Sequence, residues 1–237
     1  DTADLDEGTY LLKSDSNRIG ALDFQVSPRS YVARLGGGAL SDLQVVAELI
    51  SAGEPVPPDL HDAVLSGTGI GGARPKALVQ HQGVPALVKF SLNTDVFPAV
   101  EAEALAANLA RRCGLRTPGV SALTIGGKYA LIAERFDRES RGERRMLLSA
   151  LTIVGRTEAE ARYGSYPELV SHLMRHAERP EDVGPELFTR IAFNMATSNN
   201  DDHLRNHASF WNGHRLTLSP AYDLAPAQRR EGADNWF

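Results

Sequence analysis

The residues best suited to chemistry form one short run, Asn199-Asn200-Asp201-Asp202-His203-Leu204-Arg205-Asn206. Asp201 stands five residues before Asn206. In phosphoryl transfer that separation lets an aspartate orient the attacking hydroxyl while the asparagine binds Mg²⁺. Just upstream, Leu187, Ile191 and Met195 recur every four residues, with Phe188 and Ala192 beside them. Such a stripe predicts a helix that delivers the run as a loop. The competing reading is a solvated polar loop closing that helix. In the catalytic reading His203 braces the loop, and Asp202 either supports it from behind or faces water. Seventeen residues beyond Asn206, Asp223 follows an apolar strand and a proline in LTLSPAYDLAP. A carboxylate there can ligate Mg²⁺, a hard cation that prefers oxygen, although taken alone it reads as a turn residue.

Upstream, Gly67-Thr68-Gly69-Ile70-Gly71-Gly72 holds the spacing G-x-G-x-x-G. Glycines there let backbone N–H groups approach phosphates without a Cβ in the way. Gly67, Gly69, Gly71 and Gly72 are therefore candidate nucleotide contacts, with a plain turn as the alternative. A dinucleotide-binding oxidoreductase would need a helix after the glycines. Here Ala73-Arg74-Pro75-Lys76 and a strand-like ALVQH follow, and Pro75 disfavours helical geometry before it. A glycine loop joining two strands over phosphates fits better. Lys89 ends the apolar run VPALVKF and is either a snorkelling lysine or a phosphate-gripping one, like the lysine on the third strand of protein kinases. Glu103, on a helix with Ala106, Ala107 and Ala110 on the same face, is its candidate partner, with Glu101 as fallback. Those small residues predict close approach of helix to strand.

The elements that must carry these residues are legible as patterns. Strands are expected at 9–12, 20–27, 76–81, 84–90, 120–125, 128–136, 208–211 and 215–218. Helices are expected at 41–52, 61–65, 99–112, 144–154, 166–177 and 185–198. A Ser41–Gln44 capping box opens the first of the longer helices. The order is β-rich first and helix-rich second, an α+β layout in two lobes.

Bulk properties narrow the class. A net charge of −5 argues against a general nucleic-acid binder. The lone Cys113 excludes an internal disulfide framework, and its place in LAANLARRCG predicts buried packing. No apolar run reaches the roughly 18 residues of a membrane span. The acidic start, DTADLDEGTY, has no signal-peptide core and no methionine, which implies a trimmed chain.

Five blocks together resemble the signatures of HipA-family serine/threonine kinases: GIGGARPKA (69–77), ERFDR (134–138), LLSAL (147–151), NNDDHLRNH (199–207) and LSPAYDLAP (218–226). NRIGALDF (17–24) is similar to the tail of that family's N-terminal subdomain. The resemblance implies a two-lobed protein-kinase-like fold, incomplete at both ends. Residues 1–55 become a subdomain remnant with linker helix, 56–138 the N-lobe with its glycine loop and hinge, and 139–237 the catalytic C-lobe. It implies a cytoplasmic ATP- and Mg²⁺-dependent kinase with no membrane association. It implies a protein substrate such as an aminoacyl-tRNA synthetase, and a helix-turn-helix antitoxin through which alone DNA is met.

By position, Lys89 meets the phosphates, Asp201 is the base or orienter, Asn206 and Asp223 hold Mg²⁺, and the Glu134-Arg135-Phe136 backbone meets the adenine. Many family members autophosphorylate a glycine-loop serine. Gly69 stands at that position here, leaving Ser66 and Thr68 as the nearest hydroxyls. An inactive kinase fold serving as an antitoxin-binding corepressor is the alternative of a different class.

Overall fold

In the computed structural model, residues 6–67, 74–139 and 142–228 are described. The chain divides into two compact units, one of Asp1–Asp95 with Ser121–Arg144 and one of Val96–Val120 with Arg145–Phe237. Both are discontinuous in sequence, whereas the sequence reading placed boundaries at 55/56 and 138/139.

The first unit is a four-stranded antiparallel sheet backed by short helices. Its strands are β1 (Lys76–His81), β2 (Val84–Phe90), β3 (Val120–Ile125) and β4 (Lys128–Glu134), in the order β1-β2-β4-β3. Gln82 and Gly83, both at positive φ, make the two-residue turn between β1 and β2, as a twisted hairpin requires. Helix α1 is Glu7–Lys13, α2 is Leu40–Ala52 and α3 is His61–Leu65. Leu43, Val46 and Ala47 of α2 pack with Ala63 of α3 on Ala77, Val88, Phe90 and Ile132.

Three expectations fail in this unit, each for a local reason. Residues 9–12 are helical because the Asp6 carboxylate accepts from the Thr9 N–H at 2.9 Å and starts α1. Residues 20–27 form no strand: the Arg34 guanidinium takes the Asp23 carboxylate at 2.9 Å and the Phe24 carbonyl at 2.8 Å, leaving Leu22 and Val26 exposed. The Ser41–Gln44 capping box does not form, since α2 begins one residue earlier with Ala39 as N-cap. Gln44 is instead buried, its amide donating to the Ser91 carbonyl at 3.0 Å.

The second unit holds α4 (Ala99–Arg112), α5 (Ala150–Ile153), α6 (Tyr166–His176) and α7 (Pro180–Ala196). With them is a small antiparallel sheet of β5 (Leu147–Ser149), β6 (Ala208–Trp211) and β7 (Leu216–Leu218), in that order. The helix expected over 144–154 splits because Leu147–Ser149 pairs with Ala208–Phe210, after which the Ser149 hydroxyl caps α5. Helix α7 begins at Pro180, not 185, since proline at the first position loses no helical bond. Cys113 is exposed, not buried, because it follows the last turn of α4. The small residues Ala106 and Ala110 of α4 pack with Leu115, Phe193, Ala221 and Leu224, all of the second unit. The fold is thus α+β, with a sheet-based unit and a mainly helical one. Among the described residues no helix is long and apolar enough to cross a membrane.

One buried ion cluster organises the first unit. Arg135 grips Asp137 with two bonds, Nε to Oδ1 at 2.9 Å and Nη2 to Oδ2 at 2.7 Å. Its remaining donors reach the Asn17 side chain and the Arg18 carbonyl. Arg138 shares Asp137 and the Arg18 carbonyl, and the Gly20 N–H donates to Asp137 at 2.6 Å. Segment 17–20 is thereby clamped to the end of β4. Burial would raise the Asp137 pKa, but the hydrogen bonds and charge of Arg135 and the charge of Arg138 outweigh it and hold the carboxyl below its ordinary value. One carboxylate serves two guanidiniums, so burial and Arg135 push Arg138 down to about 10.

Two outcomes follow for denaturation monitored by circular dichroism. Arg135→Ala takes two bonds from the buried Asp137 carboxylate, leaving it Arg138 and the Gly20 N–H, and lowers the unfolding free energy by about 1.5–3 kcal/mol. Lys128→Ala, which breaks the half-exposed pair with Glu48, costs under about 1 kcal/mol. Because the folded pKa of Asp137 is depressed, its contribution is complete above pH about 4 and is lost as pH falls through the folded value. Arg135→Ala flattens that acid limb.

Candidate active site

Helix α7 ends at Ala196, and Ser198 follows at φ +57. Left-handed geometry in a serine turns the chain sharply and persists only where its surroundings hold it. Here the Asn199 N–H returns to the Asn194 carbonyl at 2.8 Å, and the two side chains meet at 3.2 Å. The Asn199 Oδ1 in turn accepts from the Asp201 N–H at 3.2 Å. A single 3-10 turn, Leu204–Asn206, closes the loop.

Asp201 and Asn206 lie together: the Asn206 side-chain nitrogen donates to the Asp201 carbonyl at 2.8 Å. Asn206 is buried, and the atom so engaged is its nitrogen, not the oxygen that a hard cation takes. The Asp201 side chain is 79% exposed, with His203 Nε2 at 3.8 Å. Its neighbour Asp202 is only 13% exposed. Tyr166 donates its hydroxyl to Asp202, His207 Nε2 donates to it at 2.9 Å, and Asn194 adds a further bond. Burial pulls the Asp202 pKa up, but His207, by hydrogen bond and charge, together with Tyr166 and Asn194, holds it below the usual carboxylate value. Burial and Asp202 together push the Tyr166 phenol up, so it remains a donor. These partners lie 36 and 5 residues away in sequence, and nothing in the local pattern marks Tyr166 as one.

Asp223 sits at φ +56, one of three non-glycine residues at positive φ among those described. Asp tolerates this geometry better than most residues, and strained backbone concentrates at working sites. The preceding Tyr222 donates its hydroxyl to the Arg205 carbonyl at 2.7 Å, which ties the Asp223 segment to the residue beside Asn206. From α7 the buried Arg190 bonds Glu186 at 2.7 Å and the Ser219 carbonyl at 2.5 Å. The Ser219 N–H donates to the Ala208 carbonyl at 2.9 Å. The structure thus gathers Asp201, Asn206 and Asp223 within the second unit. Tyr222 and Arg190, which the sequence reading did not single out, do the gathering.

Among the described residues no group of three or more His, Cys, Asp or Glu could hold a metal. Mg²⁺ needs no such cage, being held by one or two carboxylates together with phosphate oxygens, and the oxygen donors Asn206 and Asp223 suit it. A pocket of about 470 Å³ lies beside the loop, lined by Tyr166, Asn194, Asn199 and Asp202 with Ile191 and Met195. A larger one of about 550 Å³, at Arg116, Arg179 and Glu186, holds none of the expected site residues.

In the first unit Lys89 is buried on β2, directly opposite Lys76 of β1 and Leu131 of β4. Lys76 was not singled out from sequence. Glu103 is on α4, in the second unit. Glu134 ends β4 and is exposed, and Phe136 is half-buried beyond it. Between them the Arg135 N–H already donates to the Pro85 carbonyl at 2.9 Å, removing one donor from those able to meet an adenine. Gly67 is described: a Cβ there would lie 2.8 Å from the Lys76 carbonyl. Gly69, Gly71, Gly72 and Thr68 lie outside the described residues. Ser66 is 1% exposed and packs against Gly36, so it is closed to phosphorylation in this conformation. Arg74, next after them, clamps Asp95 and the Phe90 carbonyl at 2.6–2.9 Å.

A family model described as the HipA-like C-terminal domain matches residues 68–235. The chain is similar to HipA of Shewanella oneidensis MR-1, solved as the toxin–antitoxin complex of HipA, HipB and operator DNA. There the TM-score is 0.65 at 21% identity, over 87% of this chain and 54% of that one. It is also similar to the Helicobacter pylori proinflammatory kinase CtkA, with TM-score 0.52 at 15% identity, over 64% and 54% of the two chains. The chain therefore spans about half the length of either. Comparison with curated proteins gave no match.

Tyr222→Phe tests the tie between the two segments. It removes the hydroxyl bond to Arg205 while keeping the ring, and lowers unfolding free energy by about 1 kcal/mol. In amide hydrogen exchange the faster sites are confined to residues 203–207 and 220–225.

Proposed function

The chain belongs to the family of HipA-like C-terminal domains, and on that premise we propose that it is an ATP- and Mg²⁺-dependent serine/threonine protein kinase. The observation that carries the reading is the loop at the end of α7. There an exposed Asp201 and a buried Asn206 are hydrogen-bonded to each other, with the Asp223 segment tied to the same loop through Tyr222. Phosphoryl transfer asks a protein mainly for positioning and charge neutralisation. Asp201 orients the substrate hydroxyl and takes its proton. Asn206 and Asp223 would hold Mg²⁺ through their side-chain oxygens, and the ion would supply neutralising charge to the phosphates. Lys89, with Lys76 opposite it on the same sheet face, supplies cationic charge for phosphate oxygens, and Arg74 steadies the chain entering β1. Glu103 is a further proposed catalytic residue, and the backbone of Glu134 and Phe136 the proposed adenine contact. Gly67, Gly69, Gly71 and Gly72 are the proposed phosphate cradle.

The partners proposed are a protein substrate, such as an aminoacyl-tRNA synthetase, and a helix-turn-helix antitoxin through which DNA is met indirectly. Shewanella HipA, solved with HipB and operator DNA, supports the antitoxin. A cytoplasmic location goes with both.

Two aspartates are expected to fail differently. Asp201→Asn keeps the shape, loses the basicity, and lowers transfer by about 10²-fold or more with Mg·ATP affinity retained. Asp223→Ala loses both transfer and the Mg²⁺-dependent part of ATP affinity. Calorimetric titration of ATP with and without Mg²⁺, beside a transfer assay, checks this. Near-normal transfer by Asp201→Asn, or parent-like Mg·ATP binding by Asp223→Ala, refutes the assignment.

A further inference from the structure

The two adjacent aspartates of the loop occupy opposite environments, one turned to water and the other buried. Asp201, the exposed one, has little to hold it. Apart from the loop's own asparagines, its nearest side chain is His203 at 3.8 Å. Asp202 is bound by three elements at once: Tyr166 at the first residue of α6, Asn194 in the last turn of α7, and His207 just past the 3-10 turn. Tyr166 and His207 also touch each other. The hydroxyl lies 3.1 Å from Nε2, and the rings meet edge to face with centroids 5.3 Å apart. Beyond His207 the backbone is fastened again, its carbonyl accepting from the Ala150 N–H at 2.7 Å.

We propose that Asp202 is the positioning residue of the catalytic loop, with Tyr166 and His207 as its anchors, so that Asp201 and Asn206 are held in place from behind. Stability alone does not explain a charged group here. A buried ion cluster can often be replaced by apolar residues of the same volume at no loss of stability. What a carboxylate adds is direction: two oxygens, each meeting a donor from a different element, leave the peptide between residues 201 and 202 one orientation. The loop needs that constraint, since Ser198 enters it in left-handed geometry and the Asp201 side chain is turned to water, its bonds to Asn199 and Asn206 being made by its backbone. A displacement of about 1 Å at a reacting group can cost on the order of 10²-fold in rate.

The kinetic half of this inference rests on the kinase reading; the ordering of the loop does not. Four variants of the full chain serve: Tyr166→Phe, which removes one donor and keeps the ring; Asp202→Asn, which keeps the shape; and the pair His207→Ala and His207→Gln, the latter restoring an amide nitrogen near the Nε2 position. Hydrogen exchange is followed at the amides of Asn199, Asp201 and Asn206. In Tyr166→Phe and Asp202→Asn these exchange about tenfold faster or more, the worth of one hydrogen bond to a charged group, while the amides of α4 and β7 are unchanged. In the transfer assay kcat falls by a similar factor with KM for ATP unchanged, and His207→Gln recovers much of what His207→Ala loses. Unchanged loop exchange in both Tyr166→Phe and Asp202→Asn overturns the anchor, whatever the activity. Loosened exchange with unaltered kcat, in a parent chain that transfers phosphate, overturns the positioning role. A parent that transfers nothing refutes the kinase reading, and the exchange result then decides the anchor alone.

Discussion

A carboxylate removed from water stays ionised only if donors replace the hydration it has lost, and much of this chain is arranged to meet that demand twice. In the first unit the group is Asp137, ringed by Arg135, Arg138 and the Gly20 N–H. In the second it is Asp202, ringed by Tyr166, His207 and Asn194. In both, the donors come from segments far apart in sequence, so satisfying one charge fastens several elements. The Asp137 cluster carries more cation than anion. The surplus is taken up by the carbonyls of Arg18 and Gly20, which is how residues 17–20 become part of the sheet unit without forming a strand.

The second unit shows how a helical frame can present a loop without consuming it. Helix α7 is buried along Val183, Leu187, Arg190, Phe193 and Asn194. Its last two buried residues face different tasks, Phe193 in an apolar cluster and Asn194 in the polar one. Arg190 reaches from the same helix to the Ser219 carbonyl, so one element sets both the loop of Asp201 and Asn206 and the segment leading to Asp223. The backbone at Ser198 and Asp223 is left-handed, a local cost that the bonds around it hold in place. A chain selected only for stability would place glycine or asparagine at such positions.

Several elements were legible because their signals are local. The strand-like runs at 76–81 and 84–90 read as two strands, and β1 and β2 have those bounds. The apolar spacing of 99–112 likewise reads as α4. The failures are places where a second local signal or a distant partner won. Asp6 capped a helix over residues that look strand-like. Arg34 took the Phe24 carbonyl, which a strand over 20–27 would have offered to a neighbour. Ser209 of β6 offered Leu148 a strand partner, where periodicity alone suggests a helix.

The candidate site divides along the same line. The five-residue separation of Asp201 and Asn206, the later Asp223 and the glycines after α3 stand in the chain itself, because reaction chemistry constrains residue type and order. They are what led from the bare sequence to phosphoryl transfer as the reaction proposed. Sequence could not say which of two neighbouring aspartates faces water, since burial depends on what the rest of the chain brings alongside. Tyr166, Arg190 and Tyr222 carry no motif, and their roles arise only once α6, α7 and the segment before Asp223 have packed. The small face of α4 makes the same point: alanines suit any close approach, and only the packed structure assigned Ala106 and Ala110 to Phe193 and Leu224. Residue types and their spacing determined the family blocks and the chemistry proposed from them, while tertiary structure decided which groups are desolvated, because desolvation is a property of the assembled surroundings and not of a residue or its neighbours in sequence.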